Sequence, residues 1–275
     1  MVCSIGIIHI ILKKFDNMKY ISINNIPFIM LCYKEVGETT SEFAARIRRE
    51  RRVPDDQKVA VCGKLDPQAK GVTRVLIGEE TRQMPRYLQS NKTYEFSIVL
   101  GISTTSDDIM GEIEDINSTA PDIRLVKNFL KNVIMTRRVQ KYHPISAKKI
   151  RKDSGKKRPL WYWSKRNMLE EGDLPSKPVQ VFSLVETTTP LEMNFEEYRQ
   201  TVLSRLNTIT NKDAFNIDKI IEKWNCVKIE KLSLLSYKIK VSSGFYVRMI
   251  AKNIKDELHI PVHIFGINRV EVEDI

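Results

Sequence analysis

Three sets of side chains in this sequence combine types and spacing that suit chemistry. The first lies in Gly63-Lys64-Leu65-Asp66-Pro67-Gln68-Ala69-Lys70-Gly71, where two glycines and a proline surround a single acid. That composition marks a rigid, sharply turned loop, on which Asp66 is either a turn cap or a catalytic group. The second is Ser243-Gly244-Phe245-Tyr246-Val247-Arg248, which sets a phenol and a guanidinium where a strand pattern gives way to a helix pattern. Taken alone, Arg248 reads equally as a surface helix residue. The third spans residues 137–167, where Arg137, Arg138, Lys141, Lys148, Lys149, Arg151, Lys152, Lys156, Lys157, Arg158, Lys165 and Arg166 alternate with Tyr142, Trp161, Tyr162 and Trp163. Cations meet phosphates and flat rings meet unstacked bases, so this composition suits an RNA-facing surface; the competing reading is a mobile basic loop around a small aromatic cluster.

Metal and disulfide chemistry find no matching pattern. Cys3, Cys32, Cys62 and Cys226 are far apart and include no C-x-x-C pair, as expected for reduced thiols in a reducing compartment. His259 and His263 are four apart, but Pro261 breaks the helix that would align them as ligands. Neither a metal nor a cofactor is expected. The chain has 275 residues, with 45 Lys+Arg against 34 Asp+Glu and a net charge of +11. A polyanionic partner follows from this balance, with RNA, DNA and anionic membrane all candidates. The apolar run Ile5–Leu12 is too short to span a bilayer and has no basic segment ahead of it, so neither a membrane anchor nor a signal peptide is expected. A cytoplasmic location is expected, with nucleus and mitochondrion as alternatives.

The elements that must position these groups alternate between the two periods. Phe28–Tyr33 reads as a buried strand. Thr39 and Glu42 have capping-box spacing and open a helix that runs through Arg46–Arg52; its five arginines serve equally well as a solvated face or as phosphate contacts. Tyr94, Phe96, Ile98 and Leu100 alternate with Glu95, Ser97 and Val99, predicting a strand with one buried face. Ser103–Asp108 reads as a loop. Helices are predicted from Asp122, from Asn194 (again with capping-box spacing to Glu197) and after Gly244, and strands around Tyr237–Val241 and Phe265–Val272. Strands and helices mix without strict βαβ alternation, so the fold class is α+β.

The Gly63–Gly71 loop resembles the G-x-L-D-P-x-A-x-G motif of the TruB family of tRNA pseudouridine synthases. Four further stretches resemble the family in the same order. They are Leu31-Cys32-Tyr33-Lys34, Lys92-Thr93-Tyr94, Gln140 with Ser146, Ala147 and Lys149, and Ser243–Arg248. The resemblance covers roughly residues 28–272. It implies a mixed, largely antiparallel central sheet with flanking helices and RNA-binding loop insertions. It also implies a catalytic domain over 26–275 behind an extension at 1–25. In site terms, it makes Asp66 the catalytic aspartate, attacking a flipped uridine at C6 or at the ribose C1′. Tyr94 would lie against the base, Arg248 would pair with Asp66, Tyr246 would line the pocket and Lys34 would buttress the site from the first strand. Detaching and rejoining one base needs no cofactor.

The sequence departs from the family pattern in several places. Ala60 and Val61 stand where the family carries Gly-His, a histidine implicated in opening the RNA loop. Tyr142 replaces a proline, and Tyr33 and Glu35 replace an acid and a proline. The chain is also expected to lack the family's C-terminal PUA domain. The resulting expectation is a monomeric, stand-alone enzyme acting on the T-arm of tRNA without a guide RNA. The alternatives are a weakened relative that binds or folds RNA, and an enzyme with an rRNA or mRNA target.

Overall fold

The computed structural model describes residues 22–23, 26–117, 121–152 and 155–274. Almost all of the expected 1–25 extension, including Ile5–Leu12 and Cys3, lies outside them. The alternation over Tyr94–Leu100 forms the strand that organises the molecule, because every second side chain must leave water. Along the chain, the main strands are β1 (Ile29–Lys34), β2 (Val59–Cys62), β3 (Ala69–Ile77), β4 (Lys92–Leu100), β5 (Val181–Glu186), β6 (Leu191–Asn194), β7 (Lys231–Val241) and β8 (Val262–Val272). They form one sheet in the order β5–β7–β4–β8–β3–β1, with β6 also on β7 and β2 also on β3. Every pairing is antiparallel except β8 on β3, where Ile267, Asn268 and Arg269 lie opposite Ala69, Lys70 and Gly71. The expected mixed, largely antiparallel sheet of an α+β fold is what forms.

Helices cover both faces. On one, α2 (Ile123–Phe129) and α5 (Arg248–Leu258) pack Val126, Phe129, Ile250 and Ile254 onto Tyr94, Phe96, Ile98 and Leu100. Beneath the other, α3 (Phe195–Leu206) and α4 (Ile217–Cys226) pack Tyr198, Val202, Leu206 and Trp224 against Val99. The predicted one-sided burial of β4 therefore holds at its start, where Glu95 is exposed, and fails at its end, where Val99 is fully buried. The polar-out rule lapses there because a second helical layer replaces solvent. A third cluster places Phe43 and Ile47 of α1 (Thr40–Glu50) over Met30, Val61 and Val75.

Local signals set the helix starts. Thr39 and Glu42 make a reciprocal capping box, while Asp122 and Asn194 cap their helices through side-chain oxygens. The first helix ends earlier than the arginine run predicts: Arg51 is its C-cap and Arg52 takes a left-handed φ of 51°. Ser103–Asp108 is no surface loop. Ile102–Thr104 pairs with Ile113–Ile116, and Ser103, Thr104, Ser106, Asp107 and Asp108 are all buried. His259 and His263 are split between structural duties. His259 ends α5 in a left-handed cap, and His263, in the core, bonds the Tyr198 hydroxyl at 2.5 Å and the Ile102 carbonyl at 2.7 Å.

Candidate active site

Asp66 sits on the loop between β2 and β3. The two strands pair antiparallel, so the chain must reverse within residues 63–68. Gly63 supplies a φ of +80°, and the Ala69 N–H closes a turn onto the Asp66 carbonyl at 3.0 Å. Gly71, with φ +123°, is a steric necessity, since a Cβ there would fall inside the backbone of Arg269 on the parallel neighbour.

Two buried cations and a half-buried one hold this loop from behind. The Lys34 ammonium, 1% exposed, donates to the carbonyls of Glu35 (2.9 Å), Pro67 (3.3 Å) and Ala69 (2.8 Å). Arg269 of β8 donates to the carbonyls of Gly63 (3.0 Å) and Val72 (2.7 Å). Arg205 of α3 donates to the Gln68 carbonyl at 2.9 Å, and the Gln68 amide donates back to the Arg205 carbonyl at 2.9 Å. Leu65, Gln68 and Ala69 are buried, yet the Asp66 side chain remains 40% exposed. The carboxylate is the one part of the Leu65–Ala69 stretch that combines charge with access to solvent. Burial also makes Lys34 costly to charge, pushing its pKa down to about 8.

Arg248, at the start of α5 and 3% exposed, is the partner of that carboxylate. Its Nε donates to Asp66 Oδ2 at 2.8 Å. Nη1 donates to the Ser106 carbonyl at 2.9 Å and to His143 Nδ1 at 3.2 Å, and Nη2 donates to the Ile145 carbonyl at 2.9 Å. Asp108 approaches Nε to 3.5 Å and is itself held by Ser106 Oγ at 2.5 Å and by the Met110 N–H at 2.9 Å. Burial pushes the Asp108 pKa up despite Arg248. Burial alone would discharge Arg248, but Asp66 and Asp108 outweigh it, so its pKa rises. A guanidinium with an aimed Nε–H can hold a neighbouring carboxylate oriented, as an oxygen nucleophile requires.

The other residues expected here surround this pair at different ranges. Gln140 brackets the Tyr246 backbone, accepting from its N–H at 2.8 Å and donating to its carbonyl at 3.4 Å, and the Tyr246 ring meets Tyr142 edge-on at 5.4 Å. Burial first, then the neighbouring Tyr142 and Asp66, raises the Tyr246 phenol. Tyr94 is buried on β4, opposite Ile239 and Arg269, and lies in the same electrostatic neighbourhood as Tyr246. Lys34 reaches the backbone of the loop rather than the carboxylate. Val61, where the family carries histidine, packs in the core under α1.

Four residues acting on this site were not singled out from sequence: His143, Asp108, Arg205 and Arg269. Asp108 carries a faint signal, a cluster of Ser, Thr and Asp directly after an apolar strand end. Arg205 and Arg269 carry none, since their targets are backbone carbonyls far away in sequence.

The basic segment divides in two. Val139–Lys141 pairs with Ser176–Pro178, and Lys149–Ile150 with Arg158–Pro159, leading into a short helix, Leu160–Ser164, anchored by buried Leu160 and Trp163. Lys149, Arg151, Lys156, Lys157, Arg158, Lys165, Arg166 and Trp161 are exposed. Tyr162 lies between the guanidiniums of Arg166 and Arg158, at 3.8 and 5.2 Å. On α1, Arg46 is occupied by Glu38, Glu50 and the Tyr33 carbonyl, and Arg48 by carbonyls of Pro54 and Gln57. Arg49, Arg51 and Arg52 remain on the surface. A groove of about 660 Å³ beside them includes none of the expected site residues.

The mixed sheet is the fold that the Gly63–Gly71 resemblance implies, and sequence comparison agrees with that resemblance. The model of the TruB family pseudouridylate synthase (N terminal domain) matches residues 51–197, and the chain belongs to that family. Among curated proteins, it is similar to tRNA pseudouridine synthase B of Staphylococcus haemolyticus, at 26% identity over 246 residues, covering 88% of this chain and 65% of the relative. Similarity to the Lactococcus lactis subsp. cremoris protein of that name is 27% over 249 residues, covering 89% and 61%. Against the Corynebacterium glutamicum protein it is 26% over 250 residues, covering 90% and 67%. The chain thus spans somewhat under two thirds of the length of the first two. Among solved structures, a Cbf5-Nop10-Gar1 complex aligns with 89% of this chain and 48% of its own, at 14% identity and a TM-score of 0.46. Among the described residues, no helix is long and apolar enough to cross a membrane.

Proposed function

We propose that this chain isomerises uridine to pseudouridine in tRNA, with the T-arm as its target and Asp66 as its nucleophile. The observation that carries the reading is the 2.8 Å contact between a half-exposed carboxylate and a fully buried guanidinium, on a loop otherwise immobilised by Lys34, Arg205 and Arg269. Such a carboxylate forms a bond at C6 or at the ribose C1′, and the N1–C1′ bond breaks. The base turns and C5 bonds to C1′, the aspartyl bond is released, and the C5 proton is lost while N1 takes one up. The uridine must first leave the RNA stack; Tyr94 and Tyr246 supply ring surface for it, and Arg248 keeps Asp66 aimed. Lys34 acts at one remove, by holding the backbone on which Asp66 stands.

The exposed cations of 149–166 and of Arg49–Arg52 grip the phosphates, with the exposed ring of Trp161 available to bases. In this reading residues 26–275 form the catalytic domain, which works as a monomer without guide RNA. The test is to incubate the purified protein with unmodified tRNA transcripts and map pseudouridine chemically. Product at one T-arm uridine is expected. Tight binding without product would indicate an RNA-binding factor instead, and product only on rRNA or mRNA would move the substrate.

A further inference from the structure

His143 is buried, 1% exposed, and touches the Asp66–Arg248 pair from the far side. Its Nδ1 faces two groups that can only donate, Arg248 Nη1 at 3.2 Å and the Ile145 N–H at 2.9 Å. A ring nitrogen between two donors carries no proton, so the imidazole proton sits on Nε2, which is 2.9 Å from Asp107 Oδ2. Asp107 Oδ1 in turn lies 2.9 Å from the Lys255 ammonium, which fixes which oxygen faces the ring. Asp107 adopts a left-handed φ of 56°, which aspartate tolerates better than most residues. The chain of contacts runs Lys255, Asp107, His143, Arg248, Asp66.

Orientation matters here because Arg248 Nε has two carboxylates within reach, Asp66 at 2.8 Å and Asp108 at 3.5 Å. A guanidinium free to tilt would divide its time between them. We propose that His143, with its tautomer set by Asp107, is a positioning residue that fixes the guanidinium plane of Arg248 so that Nε–H points at Asp66. The inference rests on the proposed reaction for its consequence in turnover, but its structural half is independent of that reaction. Burial, and then the charge of Arg248, hold the His143 pKa down to about 4 against the pull of Asp107 and Asp66, so the ring stays neutral at physiological pH.

The variant that isolates this role is Asp107→Asn. With its oxygen toward Lys255, the amide turns an N–H toward His143 Nε2 and forces the proton to Nδ1, where it opposes Arg248. Long-range ¹⁵N–¹H correlation spectra of the free protein should show His143 protonated on Nε2 in the wild type and on Nδ1 in Asp107→Asn. The hydrogen-bonded Arg248 Nε–H resonance should shift or broaden in the variant. On the tRNA transcript, kcat should fall about 10- to 100-fold with KM little changed. Adding His143→Asn, whose side-chain oxygen accepts from Arg248 whatever occupies 107, should restore kcat to within about threefold of the wild type, since the acceptor returns. Should Asp107→Asn fail to fold, His143→Gln, which loses the Nδ1 acceptor, carries the same expectations for the Arg248 signal and kcat.

An unmoved Arg248 signal, or wild-type kcat with the tautomer switched, overturns the proposal. A wild type that forms no pseudouridine overturns the proposed reaction instead, and the two spectra still decide whether His143 positions Arg248.

Discussion

Residues 63–69 and residues 149–166 both carry charge outside the regular sheet, but they are supported in opposite ways. The first presents a single carboxylate, and almost everything around it is spoken for: Lys34 and Arg269 are buried, Arg205 is half-buried, and all three donate to carbonyls of the loop. The second presents a row of cations on one short strand pairing and a helix of five residues, with most of its side chains in solvent. Buried charge is expensive and persists only when satisfied, so it fixes geometry. Exposed charge costs little, adapts to a flexible polyanion and weakens with salt. In the proposed reaction aim and grip are thus separated, and each can be perturbed without the other.

The sharpest way to break that separation is Asp66→Asn. Turnover should fall by at least about 10⁴-fold, the order seen when a nucleophile is removed, while RNA affinity measured by filter binding stays nearly constant. A large loss of affinity would mean that Asp66 also grips. Next comes Gly71→Ala, which puts a methyl group into the Arg269 backbone. It should destabilise the protein by about 3 kcal/mol or more in urea unfolding, since neither strand can yield without breaking the parallel ladder. Arg248→Met leaves Asp66 and the Ser106 and Ile145 carbonyls without this donor and Asp108 without its counter-charge. About 3 kcal/mol of stability should go with it, together with nearly all turnover.

A pH series sharpens the same contrast. His143 and His263, both enclosed, have pKa values pushed down from 6.5 to about 4. Between those limits the unfolded chain takes up protons that the folded one refuses, so stability is lost as pH falls through that window and the histidine contribution is flat above it. Each accounts for about 3 kcal/mol by that linkage, and replacing His143 with Asn should cut the slope by about half. The smallest effect belongs to the grip. Lys156→Ala, Lys157→Ala and Arg158→Ala together should raise KM about tenfold, far more than they change kcat. They should also lower the slope of log affinity against log salt by about one for each phosphate no longer neutralised. An unchanged salt slope would remove this segment from the RNA surface.

What could be read in the sequence were features whose cause is local. Asp66 stood out because Gly63, Pro67 and Gly71 constrain the chain around it, and Arg248 because it follows a strand-to-helix junction. Thr39, Asp122 and Asn194 announced their helices through contacts three residues away. The end of β4 misled because Val99 is covered by α3 and α4, which lie about a hundred residues further on. Asp107, in a run rich in Ser, Thr and Asp, looked like solvent-facing loop because composition does not report a lid of packed chain. Arg205 and Arg269 were invisible for a plainer reason: an arginine that serves a distant carbonyl has the same local pattern as one that serves water.

The parallel register of Ala69–Gly71 against Ile267–Arg269 has a consequence in time as well as space. The Asp66 loop belongs to the first third of the chain, yet the strand that seats it is β8, nearly two hundred residues later. On a ribosome Asp66 therefore emerges when only Lys34 can reach its loop, and the segment waits for Arg205 and Arg269 while β4, α3 and β8 are made. Contacts of such sequence separation form late and slowly. Activity should accordingly appear in one step at the end of folding, with no partly folded species able to do chemistry on RNA.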